Sequence, residues 1–329
     1  MQTLELLEQG TRELEHALCR HISAEGCVLA DSAETGLSLA LLAAGVRPGE
    51  NVMCSAFAPE YTRRSILNIG VTITQVDINP NTFNIDPFCV EYMLSKYSRN
   101  GGAMPRALIA TDTFGLPCNY SALEAVCEKY GITVIEDMGD AFGATFGGSY
   151  AGSLARFAAA SVSTPDSREG GVVFCRTDAD KALIEEWIRP IPYDAESFVQ
   201  TSYSEKWIAK TMEDMRHRAS LAKIYRRELN SVCRVQQIDT VCESAYTQFA
   251  VVLPCPENKA EILDHLAKKE ISCGQFEKSG GENPGSLENI MIINAVGVRD
   301  KLITLPMNCY LTAHMAERIG RVVADVVRA

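Results

Sequence analysis

The stretch Ile132-Thr133-Val134-Ile135-Glu136-Asp137 decides how this chain folds. Its β-branched residues predict a buried strand, and two acids stand at the carboxyl end. Outward from it, strand patterns alternate with helix patterns, with a strand over 107–111 and a helix over 120–130. This alternation predicts an α/β fold, with a mostly parallel central sheet covered by helices and a ligand site at the carboxyl ends of the strands.

The pattern changes along the chain and predicts three parts. Residues 1–21 carry apolar side chains at helical spacing, which predicts an N-terminal helix. Residues 22–190 hold the alternating strands and helices, so we expect a large three-layer domain there. Residues 191–329 begin with a polar, broken linker and continue with a long helix. The mixed strand and helix signals after that helix predict a small C-terminal α+β domain.

Charge and composition limit the partners. The 329-residue chain has a net charge of −11, which argues against nucleic acid, since a phosphate backbone requires a basic face. No apolar run approaches the roughly 18 residues that a membrane span needs. Twelve cysteines without a Cys-x-x-Cys pair favour reduced, mostly buried thiols in a cytoplasm. The five histidines share no ligand spacing with the cysteines, so no metal site is predicted.

Six short segments stand in a fixed order along the chain. They are Val76-Asp77, Thr82 to Pro87, Thr113 to Pro117, Val134 to Asp137, Glu169-Gly170-Gly171 and Leu305-Pro306-Met307. In order and spacing they resemble the motifs of the DegT/DnrJ/EryC1/StrS sugar aminotransferases. That resemblance covers nearly the whole chain and implies the type I fold of enzymes that use pyridoxal phosphate (PLP). It also implies a dimer, because such enzymes build each active site across two subunits.

The residue that this family cannot do without is missing. A lysine just ahead of Glu169 should form a Schiff base with PLP, but no lysine occurs between Lys129 and Lys181. Counting along the family pattern places Asp166 at the lysine position. Relatives with histidine there act as sugar dehydratases, and no histidine lies nearby. The resemblance therefore implies a degenerate member that has lost its cofactor.

The cofactor-binding positions of the family are only partly kept. Asp137 stands where the family places the carboxylate that protonates the pyridine nitrogen. The phosphate cup of the family begins with a Gly-Thr pair, and here the pair is Ala33-Glu34. A glutamate beside a phosphate dianion is repulsive, although it also favours the positive end of a helix. Ser161 and Ser163 could still offer hydroxyl groups to a phosphate, or could serve only as strand residues.

Two further family positions have changed. Pro59 stands where an aromatic ring should stack on the cofactor, and Tyr61 or Phe57 are the only nearby substitutes. Core packing is the expected role of Phe57. Asp140 replaces the glutamine or histidine that follows the family aspartate.

Three hypotheses for function follow. The first is a non-transaminating homologue that binds a nucleotide sugar or related metabolite, or that serves as the inactive subunit of a heterodimer with an active homologue. The second is a PLP-dependent transferase acting on a sugar-type substrate, with a lysine from a partner or from elsewhere in this chain, where Lys206 and Lys210 are the candidates. The third is a different acid–base or metal-assisted enzyme, because five carboxylates could surround one cavity. Those residues are Glu34, Asp137, Asp140, Asp166 and Glu169.

Overall fold

The computed structural model describes residues 2–163, 169–188, 204–275 and 292–328. Strands and helices alternate through the first two ranges, as the sequence predicts. The strands are β1 (Gly26–Ala30), β2 (Asn51–Ser55), β3 (Thr72–Val76), β4 (Ala107–Thr111), β5 (Thr133–Asp137), β6 (Thr145–Phe146), β7 (Ser149–Tyr150), β8 (Phe157–Ser163), β9 (Glu169–Cys175), β10 (Arg234–Val235), β11 (Cys242–Glu243), β12 (Phe249–Val252), β13 (Gly274–Gln275) and β14 (Leu302–Leu305).

The helices of the described residues are mostly those that apolar periodicity predicts. They are α1 (Gln2–Ile22), α2 (Ala33–Ala43), α3 (Glu60–Leu67), α4 (Pro87–Asn100), α5 (Tyr120–Glu128), α6 (Asp178–Ile188), α7 (Ser204–Leu229), α8 (Glu257–Ala267), α9 (Ile293–Arg299) and α10 (Ala313–Arg328). The sequence reading missed α3 and α9, which are short, and α3 also contains few apolar residues. The predicted N-cap of α10 is present, since the Met315 amide donates to Thr312 Oγ1.

A seven-stranded sheet in the order β1-β9-β8-β5-β4-β2-β3 forms the centre of the described residues. Every neighbouring pair in it is parallel except the two that involve β9. One face packs on α2, α3 and α6, and the other on α1, α4, α5 and α7. The predicted fold class, a three-layer α/β unit with a mostly parallel sheet, is therefore confirmed.

A second sheet in the order β10-β12-β14-β13 lies beyond α7. It shares an apolar core with α7, α8 and α10. A small sheet, β11-β6-β7, connects this part to the loop after β5. The proposed linker near residue 190 lies outside the described residues, so the three-part division of the chain stays a prediction. No helix in the described ranges is both long and apolar enough to cross a membrane.

Asp77, just after β3, connects the central sheet to α9. Its carboxylate accepts hydrogen bonds from the amides of Asn294 (2.9 Å) and Ala295 (2.8 Å), and also from its neighbour Ile78. These amides belong to the first turn of α9, where no intrahelical acceptor is available. A buried aspartate from one part of the chain therefore caps a helix from another.

We expect Asp77→Ala to destabilise the protein by about 1–3 kcal/mol, because it leaves buried amides of α9 without an acceptor. Chemical denaturation with urea measures the change. Asp325→Ala is the matched control, since Asp325 is exposed and its contact with Arg328 is long at 3.9 Å. Equal stability of the two variants would show that Asp77 does not hold α9 in place.

Candidate active site

The candidate site lies at the carboxyl ends of β4 and β5, on the sheet face that α2 and α3 cover. Side chains alternate along a strand, so the two acids that end β5 point to opposite faces. Asp137 faces α3, while Glu136 faces the layer that contains α5. Both side chains are fully buried. The two acids that the sequence places together therefore belong to separate environments.

Asp137 accepts four hydrogen bonds from its own chain. The hydroxyl groups of Thr62 (2.6 Å) and Thr111 (3.0 Å) donate to Oδ2. The hydroxyl group of Tyr61 (2.8 Å) and the amide of Gly139 (3.3 Å) donate to Oδ1. A carboxylate offers about four lone-pair sites, so all of them are taken. Burial raises the pKa of Asp137 above its ordinary value, and these hydrogen bonds oppose that rise.

Tyr61 reaches Asp137 from the first turn of α3, just after Pro59. Its hydroxyl group lies so close to the backbone that a Cβ atom added at Gly139 would stand 2.3 Å from it. Pro59 precedes the helix and makes no side-chain capping bond. Phe57 is buried against Phe83, with ring centroids 6.5 Å apart, and packs in the core as expected. The aromatic residue near Asp137 is therefore Tyr61, which contacts the carboxylate through its hydroxyl group.

The N-terminus of α2 carries the second predicted part of the site. Ser32 caps this helix by accepting from the Thr35 amide, and Ala33 is buried. Glu34 turns towards α3, where its carboxylate accepts from Arg64 (2.8 Å) and Asn68 (2.8 Å). The charge of Glu34 is thus compensated by a guanidinium from α3. The pair fixes α2 against α3 at the end of the helix where a phosphate would bind.

Gly171 brings β8 and β9 against the start of α2. A Cβ atom at Gly171 would stand 2.2 Å from the Ser32 carbonyl oxygen, so only glycine allows this approach. Gly171 pairs with Ser161 on β8, which places the exposed Ser161 beside the N-terminus of α2. The structure therefore brings Ser161 and Ala33-Glu34 together, as the resemblance implies. Ser163 ends β8, and Asp166 lies outside the described residues.

Asp140 lies farther along the loop after β5 and is half-buried. Gln248 donates to its Oδ2 at 3.5 Å. Burial raises the pKa of Asp140 to about 6, the nearby charge of Asp137 adds to the rise, and Arg218 opposes it. Arg218 itself donates to the Ala245 carbonyl oxygen at 2.8 Å.

Glu136 forms a separate buried acid pair with Asp112. Its oxygens accept from the amides of Gly152 (2.8 Å) and Leu154 (3.1 Å), and burial raises its pKa to about 7. Burial and the charge of Glu136 raise the pKa of Asp112 well above its ordinary range. Tyr120 donates to Asp112 Oδ1 at 2.9 Å. Burial penalises both charges and the two charges repel each other, so the pair retains a proton. Sequence reading missed Asp112 as a partner.

Of the five acids in the third hypothesis, the structure describes the side chains of three, and each has partners of its own. Glu34 is bound to α3, Asp137 is satisfied by four donors, and Asp140 lies beside Gln248. Within the described residues there is no group of three metal-ligating side chains. The remaining two acids, Asp166 and the side chain of Glu169, are not described.

The residues around Asp137 do not fit PLP in the place that the family gives it. A protonated pyridine nitrogen must donate to the Asp137 carboxylate. All lone-pair sites of that carboxylate already have donors. The hydroxyl group of Tyr61 holds one of these sites.

The chain belongs to the DegT/DnrJ/EryC1/StrS aminotransferase family, whose sequence profile matches residues 3–186. It is 30% identical over 188 residues to the UDP-2-acetamido-2-deoxy-3-oxo-D-glucuronate aminotransferase of Pseudomonas aeruginosa. This match covers 56% of this chain and 50% of that protein. It is 32% identical over 139 residues to the pleiotropic regulatory protein of Geobacillus stearothermophilus, covering 42% and 36%. The matches thus span half or less of these curated relatives.

Solved structures establish the fold more completely than the sequence matches do. A DegT DnrJ EryC1 StrS aminotransferase from Brucella abortus superposes with a TM-score of 0.85 at 19% identity, over 96% of this chain and 90% of that one. Spr1654 from Streptococcus pneumoniae, in its PLP form, superposes with a TM-score of 0.82 at 19% identity, over 97% and 91%. The type I aminotransferase fold that the resemblance implied is confirmed.

We expect Tyr61→Phe to lower the free energy of unfolding by about 1–3 kcal/mol, because buried Asp137 loses a donor. Urea denaturation at neutral pH measures the loss. Tyr92→Phe removes a hydroxyl group from a half-exposed ring on α4 and should change stability by less than about 0.5 kcal/mol. If both variants match the wild type, Tyr61 does not satisfy Asp137 in solution.

The acid pair predicts a stability that decreases as pH rises. The folded state holds its Glu136 proton up to about pH 7, whereas a free glutamate releases it near pH 4.5. Folding therefore binds a proton in this range, and the full difference is on the order of 3 kcal/mol. We expect Glu136→Gln to flatten the dependence of urea stability on pH between 4.5 and 7. Glu261→Gln, on the exposed face of α8, should keep the wild-type slope.

Proposed function

We propose that this chain is a non-transaminating homologue of the nucleotide-sugar aminotransferases, one that forms no Schiff base and holds no PLP. The observation that carries the proposal is the closed set of hydrogen bonds on Asp137. In an aminotransferase this carboxylate keeps the cofactor ring protonated and electron-withdrawing. Here the Asp137 carboxylate connects β5 to β4 and α3 through hydrogen bonds. The absence of a lysine between Lys129 and Lys181 agrees with this use.

The role we propose is to bind a nucleotide sugar or a related metabolite, or to act as the inactive subunit beside an active homologue. The Pseudomonas aeruginosa relative is named for a UDP-linked sugar substrate, which supports a UDP-sugar as the first ligand to try. A dimer follows from the family likeness, either with a second copy or with that homologue. The cytoplasm is the compartment we propose, because the twelve cysteines fit a reducing environment.

The second hypothesis, a recruited lysine, is less well supported. Lys206 and Lys210 are both exposed on α7. Lys210 pairs with Asp214 at 2.9 Å, and this partner raises its pKa. A Schiff-base lysine needs the opposite shift, towards a neutral amine. The face of α7 that packs on the sheet is formed instead by Trp207, Ile208 and Met212.

Absorbance spectroscopy tests the proposal. We expect the purified protein to be colourless, to show no spectral change when PLP is added, and to be inactive with glutamate and a keto-sugar. Treatment with borohydride followed by peptide mapping should find no pyridoxyl-lysine. A yellow protein that borohydride bleaches, with the label on Lys206, Lys210 or another lysine, would establish the second hypothesis instead.

Two variants and a control test separately whether the missing lysine and the Tyr61 hydrogen bond to Asp137 prevent PLP binding. Asp166→Lys alone should stay colourless with added PLP, because Tyr61 still occupies Asp137. Asp166→Lys together with Tyr61→Phe frees one lone-pair site on Asp137, and we expect weak PLP binding with visible absorbance. Asp166→Lys with Tyr92→Phe is the matched control and should behave like the single variant. If Asp166→Lys alone binds PLP, the contact with Tyr61 does not exclude the cofactor.

A further inference from the structure

The edge of the central sheet holds a cluster of reactive side chains that the candidate site does not use. β1 is the edge strand, with α1 on one face and α6 on the other. Lys181 from α6 reaches past this strand, and its Nζ lies 3.4 Å from the Glu15 carboxylate on α1. A Cβ atom added at Gly26 would stand 2.9 Å from Lys181 Cδ, so the lysine stem crosses the strand at a residue without a side chain.

Two cysteines meet in this cluster. The thiol of Cys27, on β1, donates to the Glu15 carbonyl oxygen at 3.4 Å. Cys19 lies one turn later on α1, and in an α-helix its amide donates to that same carbonyl oxygen. The shared acceptor places the two cysteines side by side, so the single proton of the Cys27 thiol can turn from that oxygen towards the sulfur of Cys19. Cys19 is half-buried, whereas Cys27 is fully buried.

The surroundings make the two thiols unequal. The hydrogen bond from Cys27 lowers the pKa of Cys19, and the ammonium group of Lys181 acts in the same direction against burial and Glu15. The same contact raises the pKa of Cys27. A partly exposed thiol of lowered pKa beside a buried thiol is the arrangement in which the first sulfur attacks a disulfide and the second sulfur resolves the mixed product.

We propose that Cys19 and Cys27 form a redox-active dithiol, which low-molecular-weight disulfides oxidise to an intramolecular disulfide between α1 and β1. The Cys19 thiolate attacks one sulfur of the small disulfide, and one small thiolate leaves. Cys27 then attacks the Cys19 sulfur of this mixed disulfide. The second small thiolate leaves and takes up the Cys27 proton, so two protein thiols are oxidised as one disulfide is reduced to two thiols.

Peptide mapping after treatment of the reduced, folded protein with oxidised glutathione tests this site. Trypsin places Cys19 in peptide 13–20 and Cys27 in peptide 21–63, because Pro48 blocks cleavage after Arg47. The expected product is these two peptides joined by a disulfide, with fragmentation assigning the bond to Cys27 and not to Cys54. The oxidised protein should also melt a few degrees higher, because the bond closes a short loop of the unfolded chain.

Three variants define the roles of the sulfurs. Cys27→Ser should trap glutathione on Cys19, because no second sulfur can displace it. Cys19→Ser should give neither a glutathione adduct nor a disulfide at Cys27, because Cys27 is buried. Cys89→Ser is the matched control and should behave like the wild type, since Cys89 is also half-buried but burial raises its pKa to about 11.

Two results would overturn the proposal. One is wild-type protein that accumulates glutathione on Cys19 without forming the bond to Cys27. The other is Cys19 reacting with iodoacetamide at neutral pH no faster than Cys89. Both measurements use the wild-type chain, so they decide the question even if a cysteine variant fails to fold.

Discussion

A carboxylate buried at the end of a central strand is tolerated only if each of its lone pairs meets a donor. Asp137 meets this condition with hydroxyl groups from α3 and from β4 and with a backbone amide of its own loop. The same set of bonds holds α3 against the sheet. Tyr61 supplies one of these donors, so the geometry of the site depends on where α3 places its hydroxyl group.

At the start of α2, a second carboxylate is likewise held by donors from another part of the chain. A phosphate at the start of this helix would satisfy free amides and the positive end of the helix dipole. Glu34 supplies a negative charge there from within the chain, and Arg64 and Asn68 hold its carboxylate. Gly171 allows β9 to approach the start of this helix closely, and Ser161 is its partner on β8. At both places, groups of the chain itself satisfy the carboxylate.

Buried acids and thiols occur on both faces of the sheet, and their environments give them different chemistry. Glu136 and Asp112 share a dry layer and retain a proton near neutral pH. Cys19 lies at the sheet edge, where a hydrogen bond from Cys27 and the charge of Lys181 lower the pKa of its thiol. The difference arises because an ion is stabilised only where a partner of opposite charge or a donor compensates for lost water.

The sequence by itself determined the fold class, most of the longer helices and strands and the family, because hydrophobic periodicity and motif order are local properties of the chain. It also predicted Asp137, Ala33-Glu34 and Ser161 as cofactor-site positions, and this stays a prediction. Only the tertiary structure decided what these residues contact. Tyr61, Thr62 and Arg64 lie on α3, a short helix with few apolar residues, and they reach partners that are 30 or more residues away. The pairing of Asp112 with Glu136, and that of Cys19 with Cys27, likewise depends on how strands and helices pack, which spacing along the chain does not encode.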